Sequence, residues 1–240
     1  MKVAIISDIH ANVQALEAVW DDIQEQDPDE VYCLGDLVGY GASPNEAIEF
    51  IREKEVLTVM GNYDNGVGFE LDSCGCKYNS PKLERLGELS IWWSRGQTSQ
   101  ENKAFLQSLP KEFRLNDRDR DVLLVHGSPR SLHEYLPEER PTVTFERIAK
   151  VADCDIMLFG HTHIPYQKRV ADTLFVNTGS VGRPKDGDPR AGYVILESGE
   201  VEFRRVGYDI ESAARAIRDS DLPDYYADEL LAGSELESVP

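Results

Sequence analysis

The sequence predicts an α/β fold built around one sizeable core, and three observations carry that expectation. Short apolar runs of strand length alternate with amphipathic helical patterns from the second residue onward. Those runs are continuously apolar, which marks strands buried on both faces, as in a sheet layered between helices. Finally, 240 residues of which 41% are hydrophobic suffice for one core without disulfide staples.

The elements follow in order. Strand-like runs occupy Lys2–Ser7, Glu30–Gly35, Val56–Gly61, Asp121–Val125 and Asp155–Gly160. Between the first two, Val13, Leu16, Val19, Trp20 and Ile23 recur at three- and four-residue spacing, which predicts a helix over Ala11–Gln26 ended by Asp27-Pro28. Asn12 stands where an N-cap is needed. A second helix starts at Ser43-Pro44-Asn45-Glu46, with Ser43 as N-cap, proline at the first helical position and Glu46 closing a capping box. This βαβαβ order implies right-handed crossovers. The stretch 65–115 breaks the rhythm and reads as a helical insertion. It holds a loop with Cys74-Gly75-Cys76 and a helix over about Pro81–Ser94 carrying Leu83, Leu86, Leu89, Trp92 and Trp93. A second capping box at Thr98-x-x-Glu101 leads into Ala104, Phe105 and Leu109. Three more strands follow at Leu174–Thr178, Tyr193–Glu197 and Val201–Val206, the last two joined by a hairpin at Ser198-Gly199-Glu200. The chain thus divides into a single domain over 1–210 and a C-terminal helix and acidic tail over 211–240. The helix lies near Ile210–Arg218, and the tail from Asp219 is expected to be partly disordered or packed only in an oligomer.

Charge narrows the function classes. Lys and Arg number 25 against 44 Asp and Glu, a formal net charge of −19. That balance disfavours stable nucleic-acid binding and anionic membranes, which need clustered cations. A small phosphate-containing substrate stays admissible if bound metal supplies the positive charge. The N-terminal apolar run is too short for a signal peptide, and no stretch approaches the roughly 20 apolar residues of a membrane span. Cys33, Cys74, Cys76 and Cys154 lack a CxxC spacing, so they are expected as free thiols in a reducing cytoplasm, with Cys74 and Cys76 in a loop. A homo-oligomer is left open.

The chemistry sits at the C-terminal ends of the apolar runs. These endings are Ser7-Asp8-Ile9-His10, Gly35-Asp36, Gly61-Asn62-Tyr63-Asp64, Val125-His126-Gly127 and Gly160-His161-Thr162-His163. Ligands of open α/β sheets bind beyond the carboxyl ends of the strands, so these five endings can converge on one edge. Four of the chain's five histidines fall there. Carboxylates, neutral imidazoles and an Asn carbonyl are ligands that Zn²⁺, Mn²⁺ and Fe²⁺ accept. Asp8, His10, Asp36, Asn62, His126, His161 and His163 are too many for one tetrahedral ion, but suit two ions about 3.5–4 Å apart. The glycines beside Asp36, Asn62, His126 and His161 are expected to let the backbone turn sharply. Taken singly, each motif is weak; all five in this order form a strong signal.

The ordered set resembles the calcineurin-like metallophosphoesterase family, whose pattern is D-x-H, G-D, G-N-H-D/E, a later H and G-H-x-H. The match runs over Met1–Ser180, and Asn177-Thr178-Gly179-Ser180-Val181-Gly182-Arg183-Pro184 also resembles a loop of small bacterial and archaeal members. The resemblance implies a four-layer αββα sandwich with the metals at the strand ends. It assigns Asp8, His10, Asp36 and His163 to one ion and Asp36, Asn62, His126 and His161 to the other, with Asp36 bridging. The expected cofactors are two divalent transition-metal ions: Mn²⁺, Zn²⁺, Fe²⁺ or Ni²⁺. The expected activity is hydrolysis of a phosphate ester or anhydride by in-line attack of a metal-bridging hydroxide, formed near neutrality because coordination lowers the pKa of water to about 7.

One departure from the pattern matters. Tyr63 stands where the family has a histidine held to protonate the leaving group, oriented by the following acid, here Asp64. A phenol with an ordinary pKa of about 10 donates hydrogen bonds but is a poor general acid at neutrality. Either the substrate has a good leaving group or another residue supplies the proton. His133 is the only histidine outside the set, and its plainer reading is a surface or supporting residue. The catalytic candidates are therefore Asn62, Tyr63, Asp64 and His126, with Asn62 and Arg183 as substrate contacts. Arg183 either meets phosphate or pairs with Asp186 or Asp188. The competing reading, a non-catalytic scaffold of the same fold, is favoured by Tyr63 alone and opposed by retention of all seven donors.

Overall fold

Alternate residues of β1 (Lys2–Ile6) enter different cores: Val3 and Ile5 face one cluster, Ala4 and Ile6 another. That is the signature of a strand with neighbours on both faces. The computed structural model describes residues 1–76, 78 and 80–236, and two five-stranded mixed sheets organise it. In the first, β2 (Glu30–Cys33) and β3 (Leu57–Thr58) run parallel to β1, while β9 (Ala191–Glu197) and β10 (Glu200–Val206) complete the other side in antiparallel. The second contains β4 (Glu112–Asp117), β5 (Arg120–Val125), β6 (Ile156–Phe159), β7 (Tyr166–Val170) and β8 (Thr173–Asn177), in the order β4-β5-β6-β8-β7. Val3, Ile5, Val194 and Leu196 meet Val122, Leu124, Ile156 and Leu158 between the sheets. Outside the first sheet pack α1 (Val13–Gln26), α2 (Pro44–Glu53), α3 (Asn62–Gly68), α4 (Pro81–Gln97) and α5 (Gln100–Ser108). Outside the second lies α6 (Thr142–Ala152), inserting Phe145 and Ile148 against Leu123, Phe159 and Phe175. Helix, sheet, sheet, helix is the four-layer arrangement expected.

Several local expectations need correction. Within 65–115 the final segment is β4, whose Phe113 and Leu115 alternate with exposed Glu112 and Arg114, a two-residue period hidden beside a helical stretch. The edge strand β7 escaped because Gln167, Lys168 and Arg169 dilute its apolar content. The helix from Pro81 runs on to Gln97; Thr98 then closes it, its Oγ1 donating to Ser94 O at 2.7 Å. The N-cap of the next helix is Ser99, one residue later than the pattern suggested, with its Oγ accepting from Asn102 N. Ser43 occupies the N-cap position of α2 but makes no side-chain cap bond, whereas Asn12 caps α1 by accepting from Ala15 N at 3.1 Å.

The acidic tail is the largest correction. Beyond α7 (Ile210–Arg218), residues Tyr225–Ala232 form α8, and Tyr225, Tyr226, Ala227 and Leu230 belong to the main core of this single chain. The apolar positions lie among Asp224, Asp228 and Glu229, whose charge masked them. Residues 237–240 of the tail lie outside the described residues. Among the described residues, no helix is long and apolar enough to cross a membrane.

Candidate metal centre

The strand ends converge through backbone hydrogen bonds that the sequence does not advertise. Asp8 N donates to Gly35 O at 3.0 Å, His10 N to Asp36 O at 2.9 Å and Gly160 N to His126 O at 2.9 Å. These bonds tie β1 to β2 and β5 to β6, and His161 N, donating to Asp8 Oδ2 at 3.0 Å, joins the two sheet ends into one rim. Asp8, His10, Asp36, His161 and His163 all take left-handed backbone, with φ of 53°, 49°, 56°, 68° and 63°. Each such residue costs about 1–3 kcal/mol, and a cluster of them marks a functional site. Close approach explains the flanking glycines better than sharp turning does. Only Gly35 among the four has positive φ. A Cβ on Gly61 would sit 2.2 Å from Asp36 N, and one on Gly160 would sit 2.0 Å from Ser7 Oγ.

All seven predicted donors come together, buried, at this rim. Ligand atoms of Asp8, His10 and His163 lie within 4.8 Å of one another, and so do those of Asp36, His126 and His161. Asp36 Oδ2 stands between the two groups, 3.7 Å from His10 Nε2 and 3.5 Å from His126 Nε2.

Tautomers are fixed from behind. The Nδ1–H groups of His10, His126 and His163 donate to the carbonyls of Val38, Leu34 and Arg183 at 2.9, 2.8 and 2.7 Å. A carbonyl only accepts, so each Nε2 carries a lone pair. The His10 and His163 Nε2 atoms nevertheless face each other at 3.1 Å. Likewise, Asn62 donates both amide hydrogens away, to Cys74 O and Cys76 Sγ at 3.2 Å, and turns Oδ1 to His126 Nε2 at 2.8 Å. Two acceptor pairs in contact, with no hydrogen to share, repel unless a cation lies between them. The donor set therefore fits divalent metal on both sides of Asp36.

The electrostatics agree. Burial, reinforced by neighbouring imidazoles, holds His10 and His161 well below the ordinary histidine range, and burial also lowers His163. The rings are thus neutral ligands at physiological pH. Burial pushes Asp36 well up, with the Asp64 and Asp8 carboxylates adding repulsion. For Asp8 burial acts upward too, but His163, His126 and His10 outweigh it and the carboxyl ends well below its usual range.

Asp64 does not orient Tyr63, as the family pattern implied. Its carboxylate accepts the backbone N–H groups of Asp36, Leu37 and Gly61 at 2.8, 2.8 and 2.9 Å, pinning the loop after β2 to the start of α3. Asp64→Ala is expected to orphan these donors and cost at least about 3 kcal/mol. The thermal midpoint should fall by about 6–12 °C; a fall of only a degree or two in calorimetry would refute the pinning role.

Tyr63 lies edge-on to His10, with ring centroids 5.5 Å apart. Its buried hydroxyl has no hydrogen-bond partner among the described residues, and burial, with Tyr40 next, pushes its pKa well above the ordinary phenol value. It can donate a hydrogen bond but not readily release a proton. A cavity of ≈ 320 Å³ opens over the donors and reaches the insertion and the C-terminal segment. His133 lines it, half-buried, against Gly75. Arg183 also lines the cavity, but its expected partners are wrong: Asp186 pairs with Arg205 and Asp188 with Arg190. The guanidinium is buried against Glu229 of α8 and lies 3.9 Å over the Tyr40 ring. Sequence reasoning missed Tyr40, Tyr135, Arg140 and Lys185, all lining the same cavity. Lys185 follows the Arg183-Pro184 loop and was within reach of that motif; Tyr135 and Arg140 carried no local signal.

Comparison with known proteins places these features in context. The family model for the calcineurin-like phosphoesterase superfamily domain matches residues 1–200. The uncharacterized protein MJ0912 of Methanocaldococcus jannaschii is 34% identical over 250 residues, covering 96% of this chain and 98% of that protein. Phosphodiesterase YfcE of Escherichia coli is 25% identical over 208 residues, covering 82% and 88%. A crystal structure of a metallophosphoesterase from Sphaerobacter thermophilus superposes with a TM-score of 0.78 at 32% identity, covering 97% of this chain and 99% of that one.

Proposed function

This chain belongs to the calcineurin-like phosphoesterase superfamily, and we propose that it is a hydrolase of small phosphate esters, phosphodiesters foremost, working with two divalent ions. One observation carries the reading: with Nδ1 of each ring donating to a carbonyl, ligating atoms face each other on both sides of Asp36, at 3.1 Å and 2.8 Å, an arrangement that divalent cations between them would satisfy. Asp8, His10, Asp36 and His163 would hold one ion; Asp36, Asn62, His126 and His161 would hold the other. Mn²⁺, Zn²⁺, Fe²⁺ and Ni²⁺ all suit that mixture of oxygen and nitrogen. Held there, two such ions would supply Lewis acidity toward a phosphoryl oxygen and would lower the pKa of water to about 7.

The chain's own residues do the rest. The carbonyls of Leu34, Val38 and Arg183 keep the imidazoles in the ligating tautomer and orientation. The insertion and the C-terminal segment wall a cavity of ≈ 320 Å³ that suits a substrate of modest size, with Arg140 and Lys185 in the lining to meet anionic oxygens. Arg183 would brace a phosphoryl oxygen from beside Tyr40. The phosphodiesterase name borne by YfcE supports a diester substrate.

The test is metal-free protein reloaded with Mn²⁺, Zn²⁺ or Ni²⁺ and assayed on bis-nitrophenyl phosphate. Turnover should appear with metal and vanish with chelator. Two tightly bound ions with no hydrolysis of any ester would establish the scaffold instead. Proton delivery is tested by Tyr63→His, expected to raise kcat on an alkyl phosphodiester by about tenfold or more while leaving the nitrophenyl ester nearly unchanged. An unchanged rate on the alkyl ester would show that Tyr63 does not limit leaving-group protonation.

A further inference from the structure

Asn62 is held from behind by two cysteines. Its amide nitrogen donates to the Cys74 carbonyl and to Cys76 Sγ, each at 3.2 Å, and this aims Oδ1 at His126 Nε2. The two thiol sulfurs lie 2.7 Å apart, within an ångström of the roughly 2.05 Å of a covalent S–S bond. Gly75 makes that possible: with φ of +72° it folds the chain so that side chains two apart approach each other. A Cβ on Gly75 would lie 2.6 Å from His133 Nδ1, so the loop is clamped in this shape. Cys76 lines the cavity, whereas Cys74 is buried behind it. Neither sulfur has a place in the proposed hydrolysis.

We infer that Cys74 and Cys76 form a reversible oxidation site for small hydroperoxides, whose closure to a disulfide loosens the grip of Asn62 on the adjoining metal position. The chemistry balances. The Cys76 sulfur attacks the peroxide, cleaving the O–O bond, taking one oxygen as a sulfenic acid and releasing an alcohol (or water, from hydrogen peroxide). The Cys74 sulfur then attacks the Cys76 sulfur, the S–S bond forms, and the oxygen leaves as water. The two sulfurs together lose two electrons and both thiol protons, and the peroxide is reduced by two electrons. Drawing Cys76 Sγ toward the Cys74 sulfur in a covalent bond shifts it relative to the Asn62 amide and weakens that hydrogen bond. Asn62 then keeps one of its two anchors. Loss of such a supporting hydrogen bond weakens metal binding by about 10–100-fold.

This consequence rests on the metal-dependent reading above, so the experiment separates the two. Reduced, metal-free full-length chain is treated with hydrogen peroxide, digested and mapped by mass, and titrated calorimetrically with Mn²⁺ before and after treatment. A peptide cross-linked between Cys74 and Cys76, lighter by about 2 Da, is expected. One of two Mn²⁺ sites should weaken by about tenfold or more, with recovery on adding dithiothreitol. The Cys74→Ser variant should form no cross-link. Sulfinic acid at Cys76 without a cross-link, or a cross-link that leaves both Mn²⁺ affinities unaltered, would overturn the inference. If the reduced chain takes up no Mn²⁺, the functional reading fails and the loosening of Asn62 with it, while the mass map still decides the oxidation site.

Discussion

Asp36→Ala is expected to reduce phosphodiester turnover by at least a thousandfold, about 4 kcal/mol of transition-state stabilisation, and to lower the bound metal from two ions per chain to one or none. The reason is position. Asp36 Oδ2 is the donor that lies between both histidine groups, so its loss would deprive each of the two proposed ions of a ligand and both of a shared one. Asp36 Oδ1 also accepts Tyr63 N at 2.8 Å, and the alanine variant alone could therefore fail for structural reasons. Asp36→Asn separates the causes, since its amide oxygen keeps that hydrogen bond while removing the charge. Metal-free Asp36→Asn should melt at a higher temperature than metal-free wild type at neutral pH. Burial and the neighbouring Asp64 and Asp8 carboxylates make the Asp36 charge unfavourable until cations arrive. Elemental analysis and scanning calorimetry check both points. Full activity with two ions in Asp36→Asn would remove the bridge from the account.

Glu229→Ala is expected to destabilise the protein by about 3–5 kcal/mol, because it leaves the buried Arg183 guanidinium uncompensated. For a chain of this length the thermal midpoint should drop by about 6–20 °C. The cost is that of an orphaned charge rather than of a lost attraction. The double variant Arg183→Met/Glu229→Leu should accordingly recover most of the stability while losing a cation from the cavity wall. Thermal melts of the single and double variants decide it. A single variant as stable as wild type would mean that α8 docks through its tyrosines alone. The same pair links the C-terminal segment to the cavity: Glu229 sits in α8, yet it fixes the Arg183 guanidinium, which lines the cavity with His10 and His163 and lies over the Tyr40 ring.

Legibility in the sequence followed the range of the interactions. β1 and its helix were readable because Val13, Leu16, Val19 and Ile23 repeat locally, and Asn12 and Asp27 punctuate their ends. The candidate metal donors were readable because each lies at or just beyond the end of an apolar run, so one topological rule collects them. Tyr135, Arg140 and Glu229 had no such marker. They approach the site from segments whose local patterns say only loop or acidic helix, and their roles depend on what faces them. Asp64 shows the same limit in a residue that was noticed: the motif named it, but only the fold shows that it binds three backbone N–H groups rather than its neighbouring side chain.

The order of residues by itself determined the α/β class, the strand ends and the identity of the seven oxygen and nitrogen donors, since periodicity and short motifs are written within a few residues. Tertiary structure alone decided which lone pairs face each other, where Arg183 finds its counter-charge, and that two cysteines brace Asn62. Those outcomes depend on contacts between segments up to 153 residues apart, such as His10 and His163, and contact between distant segments is fixed by packing rather than by local pattern.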